Sequence, residues 1–85
     1  MVVTRYYFHA TDGYTAVFDR TGWRLLGLEF EEVAAVVAQG VRRRFGALAD
    51  LTDWLIVVQA DNGDEVATYG LEELSTVAPA RLAAA

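Results

Sequence analysis

The sequence has no cysteine, no lysine, one proline (Pro79), one histidine (His9) and one serine (Ser75). Lacking cysteine, it can build no disulfide framework, thiolate zinc site or cysteine nucleophile. No apolar run approaches the roughly 18 residues a membrane span needs. The opening Met1-Val2-Val3-Thr4-Arg5 lacks the basic-then-apolar order of a signal peptide. A cytoplasmic protein without a membrane segment is the expectation. The 85 residues fit one domain, because two cores could not be buried in that length. With 54% apolar and 22% charged residues, the composition excludes intrinsic disorder.

Charge is divided unevenly. Residues 1–45 carry six arginines against five acids, and residues 46–85 carry Arg81 against seven, which gives the net −5. Phosphate binding needs clustered basic side chains, so nucleic acid is not the expected partner of an acidic chain. The one basic cluster is Arg42-Arg43-Arg44.

Val3 to Ala10 is rich in β-branched and aromatic residues and reads as a strand. Thr11-Asp12-Gly13 is a turn, Tyr14–Phe18 the returning strand, Asp19-Arg20-Thr21-Gly22 a second turn, and Trp23–Leu26 a short third strand. The period then changes. Phe30, Val33, Ala34, Val37, Val41 and Phe45 form one apolar stripe at helical spacing. Acids in the first turn, arginines in the last and Gly46 as a stop predict a helix over residues 28–45. Trp54–Gln59 reads as a buried strand and Glu65–Tyr69 as its return across the Asp61-Asn62-Gly63-Asp64 turn. Leu71–Val77 can form one or two helical turns before Pro79. The expected fold is α+β: two antiparallel hairpins in one sheet, a long helix packed on a face, and a short C-terminal helix. Residues 1–79 make the domain and 80–85 a frayed tail.

Tyr6-Tyr7-Phe8-His9, then Asp12-Gly13, then Asp19 and Gly22 resemble the opening of the DUF6894 family, a small bacterial domain of unknown function. That family's pattern is Arg-Tyr-aromatic-Phe-His, two residues, Asp-Gly, a short strand, Asp, two residues and Gly, followed by a leucine-containing connection and an alanine-rich helix. Leu25, Leu28 and Ala35 fit the connection and helix, and Trp54, Val57, Asp61, Gly63 and Val66 the closing hairpin. The resemblance covers about residues 5–69. Leu26-Gly27 stand where the family often has Pro-Asp, which removes a side-chain cap from the helix. The resemblance implies a fold and a bacterial cytoplasmic setting, and assigns no activity.

His9 is the natural candidate for acid–base work, with Asp12 within reach across the turn; the competing reading is a strand histidine that packs and hydrogen-bonds at the hairpin end. His9, Asp12 and Asp19 would need a second chain to complete a metal site, and Asp61–Glu65 lack the calcium loop's closing glutamate. No phosphate loop, nucleophile elbow or zinc-protease motif is present. The expectation is no enzyme, no cofactor and no metal. Arg44 is turned toward the apolar stripe and is expected to reach Asp50, Asp53 or another chain. The tail Leu82-Ala83-Ala84-Ala85 resembles the small apolar ends read by bacterial proteases.

Side chains alternate across a strand. Tyr6 and Phe8 therefore face one side and Val3 and Tyr7 the other; Trp54, Ile56 and Val58 oppose Leu55 and Val57. Both faces are apolar, yet one helix covers one face. The expected function is a non-enzymatic protein-interaction or regulatory module acting as a homodimer, with Tyr7, His9, Val36, Arg42, Arg43, Arg44, Leu55 and Val57 as contact residues. The alternatives are nucleic-acid binding through Arg42–Arg44 and an acidic decoy of a nucleic-acid-binding protein.

Overall fold

The computed structural model describes residues 3–26, 29–46 and 50–74. Strands β1 (Thr4–Thr11), β2 (Ala16–Val17) and β3 (Trp23–Leu25) precede helix α1 (Phe30–Phe45); β4 (Leu55–Ala60), β5 (Glu65–Gly70) and the short α2 (Leu71–Leu74) follow. This is the expected α+β class, with an antiparallel sheet of five strands.

The order across the sheet is β2–β1–β4–β5. β1 and β4 lie at the centre, in register from Tyr6 opposite Ala60 to Thr11 opposite Leu55. The other edge of β1 is shared. β2 pairs with Ala10 and Thr11, β3 pairs with Thr4 to Tyr6, and the chain leaves the sheet between them. The returning strand is thus two residues long rather than five. Asp12 is the reason at its start: its Oδ1 accepts the amides of Tyr14 (2.8 Å) and Thr15 (2.7 Å), so those residues belong to the turn.

One face of the sheet is sealed by α1. Phe8, Ala10, Ile56 and Val58 project from it and are at most 1% exposed. They meet Val33, Ala34, Ala35, Ala38 and Val41 of the helix. The buried helix face is displaced from the stripe read in the sequence. Phe30 and Val37 are only half-buried and Phe45 is 40% exposed, whereas Ala35 and Ala38 are buried. Alanines let the helix backbone approach closely, and α2 packs beside α1 with Leu71 and Leu74 in the same core. Phe30 is therefore a flank residue, edge-on to Tyr6 at 4.7 Å, although it belongs to the stripe read in the sequence. Trp54 is 6% exposed and packs on Phe45 at 5.1 Å.

α1 begins at Phe30 rather than at residue 28. Its N-cap, Glu29, makes no side-chain capping bond. Gly46 ends the helix at φ +95°, its N–H donating to Arg42 O at 2.9 Å. The Leu71 N–H donates to Trp54 O at 2.9 Å, which fixes α2 on the helix side of the sheet. The remainder of the expected Leu71–Val77 helix, the domain end at residue 79 and the Leu82–Ala85 tail lie outside the described residues.

Candidate functional site

The sheet face opposite α1 carries alternate residues of β1 and β4. Tyr7 lies opposite Gln59, His9 opposite Val57, and Thr11 opposite Leu55. β5 adds Thr68 beside Val57 and Gly70 beside Leu55. No described residue forms a layer over this face. Leu55 is 42% exposed and Phe18, at its β2 margin, 63%. Tyr7, His9, Leu55 and Val57, expected as contact residues, are thus brought together on one surface. Val36 and the three arginines are not: they lie on α1, behind the sheet.

His9 is the centre of this face. Its ring lies parallel to Tyr7 at 6.2 Å and edge-on to Phe18 at 5.4 Å. The Asp19 backbone N–H donates to Nδ1 at 3.0 Å. Nδ1 must then be unprotonated, so Nε2 carries the hydrogen and donates to Gln59 Oε1 at 3.2 Å. Both ring nitrogens are engaged. Asp12, expected within reach of His9, turns to its own loop. The two amides it accepts, Thr15 first and then Tyr14, hold its carboxyl below the usual carboxylate range.

Asp19 explains the split edge. Its Oδ2 accepts the Phe8 amide at 3.1 Å, taking the place of a backbone carbonyl at the point where β2 has ended and β3 has not begun. Its Oδ1 accepts the amides of Thr21 (3.2 Å) and Gly22 (2.9 Å), which closes the loop. Gly22 has φ +75°, and a Cβ there would lie 2.7 Å from Arg5 Cγ and 3.0 Å from Tyr7 Cε1. Glycine is required twice over, by dihedral and by space. The Asp19-x-x-Gly22 and His9 residues that carried the resemblance are one hydrogen-bonded unit that shapes the sheet.

The arginine run divides: Arg42 and Arg43 line an open hollow with Gln39 and Gly46, and Arg44 turns to another. Successive helical residues are about 100° apart, so the three side chains fan round the last turn. Arg42 pairs with Glu72 at 3.3 Å. Arg43 is exposed. Arg44, expected to reach Asp50 or Asp53, lines a cavity of about 240 Å³ with Phe8, Trp23, Val37, Gly40 and Val41, between α1 and the split edge. Asp50 is bonded to the Thr52 hydroxyl and amide, which lower its pKa in that order. Tyr69 is shifted the other way: burial, then the charges of Glu31 and Glu32, raise its phenol. Among the described residues no three His, Cys, Asp or Glu side chains are grouped to hold a metal, and no helix is long and apolar enough to cross a membrane.

Sequence reasoning missed Gln59, Phe18 and Asp19 as members of this face. Period-two alternation carried one residue further along β4 would have found Gln59; the return of Asp19 to His9 depends on the broken strand, which no local pattern announces. No family model, curated protein or solved structure matches the chain.

Proposed function

We propose that the protein is a non-enzymatic cytoplasmic interaction module that acts as a homo-oligomer through the sheet face opposite α1. The observation that carries this reading is the state of the polar groups on that face. Covering a surface is costly when it strands hydrogen-bonding atoms away from water. Here those atoms are largely satisfied from within the chain. His9 uses both nitrogens, Gln59 Oε1 accepts from it, the Thr11 hydroxyl donates to Thr15 O, and the Thr68 hydroxyl donates to Glu65. Tyr7, Val57, Leu55 and Phe18 supply apolar area around them. The centre of such a face can be dehydrated with a reduced polar penalty.

The nucleic-acid reading has less behind it: Arg42 is tied to Glu72, and the Tyr7 and His9 rings lie on the sheet face turned away from the helix that carries the arginines.

Light scattering at micromolar concentration tests the proposal. A mass twice the chain's 9.3 kDa is expected, and a mass of 9.3 kDa would overturn it. Val57→Asp places a charge at the centre of the face and should return a folded monomer; a Val57→Asp dimer would move the interface elsewhere.

A further inference from the structure

The uncovered face carries charges of both signs at one end, basic on one side and acidic on the other. Arg5 lies directly opposite Arg24 in the β1–β3 ladder. Trp23 and Leu25 pack on the core, so Arg24 between them faces the open side, as does Arg5, whose stem crosses Gly22 beside Tyr7. Two like charges directly across a ladder repel. Neither arginine forms an ion pair among the described residues. At the same end, across the sheet, the β4–β5 turn brings Asp61, Asp64 and Glu65, with Glu65 beside Gln59 on the open side. The face thus has a basic corner on its β3 side and an acidic corner on its β5 side, at one height along the strands.

Two copies packed face to face can be related by a two-fold axis along the strands or across them. An axis across the strands lays this end of one copy over the opposite end of the other. It sets the acidic turn over the corner where the Glu73 carboxylate lies against Gly70. An axis along the strands exchanges left for right at constant height. Each basic corner then sits over the partner's acidic corner, and the contact occurs twice.

Resting on the proposal that this face binds a second copy, we infer that the partner is held by a two-fold axis parallel to the strands, with Arg24 and Arg5 of each chain facing Glu65 and the Asp61–Asp64 turn of the other. Area gives the corners weight. Eight residues of β1 at about 3.3 Å each, by four strands at about 4.8 Å, make a face of roughly 500 Å². Two such faces bury roughly 1,000 Å², the lower limit for a specific interface. A contact of that size gains much of its selectivity from paired charges at its rim.

The test uses Arg24→Glu and Glu65→Arg, both at exposed positions, with folding checked by circular dichroism. Each variant alone juxtaposes like charges at both corners, and its homodimer should weaken at least tenfold. Mixed in equal amounts, the two variants make both corners attractive again, and a one-to-one heterodimer should form with affinity within about threefold of the unmodified pair. Failure of the mixture to recover would exclude the axis along the strands. So would single variants that dimerise as tightly as the parent, and in either case the face remains an interface. A monomeric parent would overturn the underlying reading as well, so the two failures are distinguishable. Raising salt from 50 to 500 mM should weaken the parent dimer severalfold, and no change would count against the charged corners.

Discussion

The two faces of the sheet are built from the same strands, and they differ in how polar atoms are treated. On the α1 side, Phe8, Ala10, Ile56 and Val58 bury apolar surface with no polar or charged residue among the buried set. On the other side, Tyr7, His9, Val57 and Gln59 are half-buried, and the His9 ring links the Asp19 amide to the Gln59 side-chain carbonyl. The first face needs only volume and apolarity, which is why one helix rich in alanine serves it. The second is specified side chain by side chain. An interior can be covered by any well-fitting element, whereas a face that carries polar groups has to place their donors and acceptors one by one.

The largest expected effect that would break this contrast is at Ile56. Ile56→Ala opens a cavity at a fully buried position and should cost about 3–4 kcal/mol in urea unfolding. Val57→Ala, one residue on and on the other face, should cost about 1 kcal/mol or less in solutions dilute enough to hold the monomer. Equal losses would mean that the second face is also core. Next comes Asp19. Asp19→Ala leaves the Phe8, Thr21 and Gly22 amides without their acceptor and should cost about 2 kcal/mol. Hydrogen exchange at the Phe8 amide should quicken far more than at Ile56; unchanged protection at Phe8 would remove Asp19 from the role of strand partner. The smallest effect is at the Asp12 turn. Its folded pKa is depressed, so its contribution is complete above the unfolded carboxylate value and is lost as pH falls through the folded one. The Tyr14 and Thr15 amide resonances should move together over that acidic window, and Asp12→Ala should abolish the joint titration.

The fold was legible where residues are chosen for one local purpose. The β4–β5 turn, the Gly46 stop and the period change at the helix are all present in the structure at or within two residues of their expected positions. Less legible was anything set by mutual packing. Helical spacing pointed to Phe30, Val37 and Phe45 as part of the helix's buried face, but the closeness of the α1 backbone to the sheet selects Ala35 and Ala38, and the flank covered by α2 is fixed by a hydrogen bond from Leu71 to Trp54. The candidate site divides in the same way. Alternation placed Tyr7, His9, Leu55 and Val57 on one face, whereas the partners of His9 depend on a break in the edge strand 10 residues away in sequence.

That break also governs how the sheet can grow. An exposed strand edge is a template on which a foreign chain can add its own hydrogen bonds, and repeated addition needs two usable edges, one to give and one to receive. On the β1 side the Phe8 amide, where an incoming strand would dock, is already held by the Asp19 carboxylate, and only two and three residues flank it in the ladder. The opposite edge, β5, is continuous but carries an irregularity beside Val58 and Gln59 and the charge of Glu65. One aspartate, filling the place of a missing residue in the sheet, thus removes a point at which a foreign strand could add its hydrogen bonds.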